Sequence, residues 1–216
     1  MQSLELILRE SAKRHKHLCP RQVLGARMSL LAGEAFGLEL PRTDKRLLVI
    51  AETDGCTVDG IIAATACHVG ARTLRILDFG KVAATFIDTY SEEAIRIAPN
   101  REARTLALEY APNARNRWEA MLLGYQSIPA EYLLGVQQVQ LIPSLAQIIS
   151  QPAKKSECAG CGEEIINERE VIHEGSTLCR SCAGENYYQV LKMPAFSLAG
   201  KIEGHIYGGQ TGIGEI

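Results

Sequence analysis

The sequence has no excess of charge of either sign: 23 Lys and Arg stand against 25 Asp and Glu, a net of -2 over 216 residues. So even a balance gives no global electrostatic grip on nucleic acid or on an anionic membrane, and any anion recognition must be local. Long apolar runs are also missing. The longest weakly charged stretch, residues 135–153, is interrupted by five Gln and two Pro, whereas a membrane-spanning helix needs about 20 consecutive apolar residues. The N-terminus lacks the basic start and the small-residue cleavage site of a secretory leader, and Glu5 and Glu10 break its apolar positions. These absences predict a soluble, cytoplasmic protein that partners neither membrane nor nucleic acid.

Cysteine is what the chain does have, seven in all. Three (Cys19, Cys56 and Cys67) stand singly in the first third, and four fall in two close pairs. An odd count with metal-ligand spacing suits a reducing compartment, where thiolates are kept for metal or for chemistry.

Periodicity predicts a mixed order of elements. Leu4, Ile7, Leu8 and Ala12 recur at helical spacing. Pro20 disfavours the α conformation at Cys19 and is well placed to open a second helix that runs to Gly37. A buried strand at 47–51, the turn Glu52-Thr53-Asp54-Gly55 and a helix from Cys56 or Thr57 to near Gly70 follow. Residues 74–77, 81–87 and 93–97 read as strands, 101–111 and 114–126 as helices parted at Pro112, and 136–142 as a strand. No βα unit repeats, so the expected class is α+β, a mixed sheet with flanking helices. The apolar pattern stops at 151–156, which divides the chain into a core domain (1–150), a small cysteine module (156–185) and an extended Gly-rich tail (186–216).

The pairs Cys158-x2-Cys161 and Cys179-x2-Cys182, seventeen residues apart, have the spacing of a four-thiolate zinc finger. Two residues between thiolates let one tight turn aim both sulfurs at one tetrahedral ion. About 30 residues cannot bury enough apolar surface to fold alone, so metal binding must supply the folding free energy. Four protein ligands leave no open position, which makes Zn2+ structural here and not catalytic. Residues 165–166 and 171–173 are expected to pair as a hairpin between the ligand pairs. Nucleic acid is disfavoured on charge. Residues 154–185 hold four basic and seven acidic side chains, and four thiolates on a divalent ion add about -2 more.

At the other end, His15, His17 and Cys19 alternate, so an extended segment would align them on one side. Cys56, at the start of another helix, can complete a mixed nitrogen and sulfur site for a second transition metal. Six basic residues between Arg9 and Arg27, together with two positive helix ends, favour ionised Cys19 and Cys56 thiols. The alternative is a Cys19 packed as a small hydrophobe beside surface histidines. Cys67, about three helical turns beyond Cys56, reads as core.

The stretches HKHLCPRQVLGARMSLLAGEAFG and ETDGCTVDGIIAATACHVGARTLRILDFGKVAATF carry H-x-H-x-C-P, D-x-C-x-x-D and D-x-G-K. Over roughly residues 12–90 the chain resembles the FmdE family, named for one of the subunits of formylmethanofuran dehydrogenase. The C-terminal cysteines resemble a zinc finger that some members carry. The resemblance implies an α+β core, commonly dimeric, whose motif residues His15, His17, Cys19, Cys56, Asp59, Cys67, Asp78 and Lys81 line a metal or active site. Arg21 departs from the small residue common after the proline, which narrows that site or places a cation in it. Two functions compete. One is an enzyme or accessory protein of one-carbon or redox metabolism using His17, Cys19 and Cys56, with Lys81 holding an anionic group of the substrate. The other is a noncatalytic assembly module held together by zinc, a homodimer or a docking partner of a larger oxidoreductase complex.

Overall fold

The computed structural model describes residues 2–15 and 17–189, without the His15 side chain. The part of the expected tail from 190 onward lies outside the described residues. Two compact units divide at Leu145 and Ala146. No helix among the described residues is long and apolar enough to cross a membrane.

The first unit is built on a five-stranded sheet. Its strands are β1 (Leu47–Ala51), β2 (Leu74–Ile76), β3 (Ala84–Asp88), β4 (Ala94–Pro99) and β5 (Leu134–Gln138), ordered β2-β1-β3-β4-β5. β1 and β2 are parallel, and the other pairs are antiparallel. β3 is buried at every residue, as befits a central strand. The sheet is therefore mixed and flanked by helices, the class expected from the order of elements.

Helix α1 (Leu4–His15) buries Ile7, Leu8 and Ser11. Helix α2 (Pro20–Phe36) opens on its proline and ends where Gly37 takes φ +61°, a conformation that costs a side-chain-bearing residue. It packs along α3 (Thr57–Thr65) and touches β3 and β4. The α3 helix is shorter than the sequence suggests. It stops at Thr65, whose hydroxyl bonds back to the Ile61 carbonyl at 2.7 Å and also receives the Cys67 N–H at 3.0 Å. Helices α4 (Ala103–Tyr110) and α5 (Arg117–Ser127) pack on each other, and α5 also reaches α2. A short helix α6 (Ala130–Leu133) leads into β5, and α7 (Leu145–Ile149) follows.

The second unit contains two separate hairpins, β6 (Lys155–Glu157) with β7 (Glu164–Ile166) and β8 (Val171–His173) with β9 (Ser176–Leu178). This corrects the expected pairing of 165–166 with 171–173. Asn167 and Glu168, both at positive φ, end β7, and Glu174-Gly175 at φ 49° and 79° make the two-residue turn that folds β8 onto β9.

Candidate functional site

Helices α2 and α3 touch almost without side chains between them. A Cβ on Gly60 would lie 2.1 Å from the Gln22 carbonyl oxygen, and one on Gly25 would lie 2.1 Å from that of Thr57. Because this crossing falls in the first turns of both helices, it brings their capping residues together. Those residues are Cys19 and Cys56.

Cys19 has extended backbone geometry at φ -126° and ψ 159°, as the following proline requires. Its N–H donates to Gln22 Oε1 at 2.7 Å. Gln22, fully buried, donates from Nε2 to the Ser11 carbonyl at 3.1 Å and to its hydroxyl at 2.9 Å, which ties α1 to the Cys19 turn. Cys19 is itself buried, and its thiol lies within hydrogen-bonding reach of Cys56. Burial pushes the Cys56 thiol above its ordinary pKa, and the adjoining Cys19 adds to the rise. The expectation of a Cys56 thiolate favoured by basic surroundings is thus reversed, since desolvation and a second thiol outweigh the helix end.

Both cysteines line a cavity of about 960 Å³. Lys81 enters from the loop before β3, where its N–H and that of Phe79 each donate to the Glu52 carbonyl at 3.0 Å. Arg21 lines the same space, so the departure noted in the sequence does place a cation there. Further lining comes from β4, α4 and α5. The carboxylate of Glu52 is paired in a bidentate manner with Arg96, at 2.5 Å from Nε and 2.8 Å from Nη2. Arg96 first, with Lys81 as a lesser influence, holds the Glu52 carboxyl below the usual carboxylate range. The stability from this pair is therefore complete above the ordinary carboxylate pKa and is lost as pH falls through the lower folded value. Glu52→Gln should cost about 2 kcal/mol at neutral pH and flatten the acid limb of a Tm-against-pH curve. An unchanged acid limb would contradict this.

The other described motif residues do not line the cavity. His17 is exposed and is not part of the cavity lining, and the His15 side chain lies outside the described residues. Asp59 sits in the first turn of α3, close enough to Cys56 to raise its pKa slightly. Cys67 is a core residue with its thiol against the Leu47 carbonyl at 3.4 Å. Asp78 caps its own turn, accepting the Gly80 N–H at 3.0 Å. Sequence reading missed the contribution of α4 and α5. The spacing of Arg101 and Arg104, one helical turn apart, was the available signal.

In the second unit, Cys158, Cys161, Cys179 and Cys182 present sulfurs that all lie within 4.8 Å of one another, with Cys161 and Cys179 at 3.9 Å. Tetrahedral thiolate coordination at about 2.3 Å per bond separates sulfurs by roughly 3.8 Å, so the quartet fits one metal ion. The Cys179 N–H donates to the Cys158 sulfur at 3.1 Å and, as the largest influence, lowers that thiol to about 6. Cys182, in contact with Cys179 and Cys158, is pushed up to about 12. Four sulfurs this close resist joint ionisation unless a cation joins them. Among the described residues this is the one group of three or more metal-ligating side chains.

Comparison with known proteins places residues 14–134, more than half of the chain, in a family described as "FmdE, Molybdenum formylmethanofuran dehydrogenase operon". A relative from Archaeoglobus fulgidus described as "Probable S-adenosyl-L-methionine-binding protein" is 28% identical over 214 residues, covering 87% of this chain and 55% of its own length. The chain thus spans about half the length of that curated relative. A crystal structure from Syntrophus aciditrophicus, of a protein likened to the FmdE component of tungsten formylmethanofuran dehydrogenase, superposes with a TM-score of 0.56 at 21% identity. That match covers 87% of this chain and 96% of the other, and it speaks to the fold.

Proposed function

This chain belongs to the FmdE family, and we propose that its core domain, residues 1–150, holds a small molecule in the 960 Å³ cavity and works on it through Cys19 and Cys56. The observation that carries this reading is the meeting of two thiols from two helix ends inside one cavity, with Lys81 beside them. A cavity of this size is that of a ligand site, and a structural thiol pair would have no need of one. In this role Cys19 and Cys56 are the reactive sulfurs or soft metal donors. His15 and His17, just before Cys19, are the proposed imidazole donors for a second transition metal, and Lys81 holds an anionic group of the substrate. The association of the family with the molybdenum formylmethanofuran dehydrogenase operon supports an enzyme or accessory protein of one-carbon or redox metabolism.

The C-terminal quartet is proposed to hold zinc as a structural ion, in the module spanning 156–185. Cytoplasmic placement is proposed because a reducing compartment keeps such a set of thiols available. A homodimer is also proposed. Edge strand β2 and the residues after it expose Ile76, Leu77 and Phe79, an apolar strip that a second subunit would cover. Docking on a larger oxidoreductase is the corresponding proposal for a heterologous partner.

Metal analysis tests the thiol site. Purified protein should carry two metal equivalents, and Cys19→Ser or Cys56→Ser should each lower that to one without changing the circular dichroism. A single equivalent unaffected by either change removes the second metal. In metal-free protein the alkylation rate of Cys56 should keep rising with pH beyond the ordinary thiol range, because its pKa is raised. A plateau reached before the ordinary thiol pKa would contradict the geometry.

A further inference from the structure

The cavity lining is charged on one side only. Arg21, Lys81, Arg96, Arg101, Arg104 and Arg117 all line it, and no Asp or Glu does. In a chain with 25 acidic and 23 basic residues, six cations with no carboxylate among them is a local concentration that overall composition does not produce. Arg96 is neutralised by Glu52, which leaves it as part of the wall. Of the other five, Lys81 is near enough to the Glu52 carboxylate to lower its pKa, and the four arginines stand in no ion pair with a described carboxylate. They come from separate segments: the start of α2, the loop before β3, the start of α4 and the start of α5. That origin distinguishes them from a stripe along one solvated helix.

Like charges held around one space repel unless something negative enters it. One oxyacid group engages two or three such donors, and guanidinium groups suit its planar pairs of oxygens. Five cations therefore suit a ligand with at least two anionic groups. Trp118 also lines the cavity with its indole half exposed, a flat apolar face beside Arg117 on which a ring can stack. We infer that the ligand of this cavity is a small polyanion, a flat ring carrying two or more phosphate or carboxylate groups. The inference rests on the reading of the cavity as the ligand site. It also departs from the ligand ascribed to the Archaeoglobus relative, because S-adenosyl-L-methionine brings a sulfonium and an ammonium into a space lined by cations.

Trp118 is the only tryptophan in the chain, so its fluorescence reports on this cavity alone. The full-length protein is titrated with ADP, pyrophosphate, citrate, adenosine and S-adenosyl-L-methionine at low and high salt. ADP should give a saturable change, bind tighter than adenosine and S-adenosyl-L-methionine, and weaken at least about tenfold as salt screens the arginines. Pyrophosphate or citrate should compete with it, and whichever does so more tightly identifies the acid. Arg101→Gln with Arg104→Gln, both exposed and so compatible with folding, should weaken ADP at least about tenfold at an unchanged Tm. Adenosine or S-adenosyl-L-methionine binding as tightly as ADP, or an unaffected double variant, overturns the inference. Anion binding with inert thiols would keep it and remove the role proposed for Cys19 and Cys56. Reactive thiols with no anion binding would remove this inference alone.

Discussion

Alanine in place of Gly60 should disable the core domain, although it adds one methyl group to a helix and touches no cysteine of the metal-binding quartet. That Cβ would fall 2.1 Å from the Gln22 carbonyl oxygen and 2.9 Å from the Ala26 nitrogen, both backbone atoms that no rotamer change can move. Helices α2 and α3 must then separate. Overpacking of this kind costs about 3 kcal/mol or more, a large share of a domain's stability. The better helix propensity of alanine returns only about 1 kcal/mol. Separation also pulls Cys19 away from Cys56, so the variant should lose rapid crosslinking of the two thiols as well as thermal stability. Gly25→Ala, which meets the Thr57 carbonyl oxygen at 2.1 Å, should behave alike. Gly70→Ala, where the nearest atom is 3.6 Å away, is the neutral comparison. A Gly60→Ala protein that melts like the Gly70→Ala protein would show that the helices do not cross as described.

Removal of metal from the cysteine quartet should have the other large effect. The module has three-residue strands, and its buried side chains are few, chiefly Cys158 and Ile165. Structural zinc sites contribute apparent binding free energies of about 10 to 16 kcal/mol near neutral pH, far more than such a core supplies. A chelator, or Cys179→Ser, should therefore abolish amide-exchange protection in β6 to β9 while that of β3 persists. Protection that survives chelation would show that the hairpins stand without metal. Acid should act in the same direction. Metal binding requires thiolates, and the Cys158 thiol is held down to about 6 even without metal. Release should grow as the solution is made more acid and protons compete with the ion for the thiolates, with metal loss and loss of protection coinciding.

The two sites differ in how far a linear reading reached them. Cys158, Cys161, Cys179 and Cys182 converge because short turns set their positions: two residues separate the thiolates of each pair, the β6–β7 connection carries the first pair, and the β8–β9 hairpin leads to the second, which leaves little for the rest of the fold to decide. The N-terminal cysteines were legible as helix starts, since Pro20 imposes the backbone of Cys19 and the turn after β1 sets that of Cys56. The acidity of Cys56 was not legible. Neighbouring basic residues argued for thiolates, but burial and the second sulfur act through space and raise Cys56. Helix α3 also ended early, because a Thr65 side-chain bond competes with continuation.

By itself, then, the sequence determined the α+β class, the starts of the helices that carry Cys19 and Cys56, and the metal-binding quartet, since each depends on backbone preferences or contacts a few residues apart. Only the tertiary structure decided that Cys19 and Cys56 share one cavity, and that basic side chains from α2, β4, α4 and α5 surround it. Arg21 and Arg117, at its two ends in the chain, have nothing between them that local spacing could connect. What joins them is the close passage of two glycine-faced helices and the order of strands in a mixed sheet, and both are settled by contacts between distant segments.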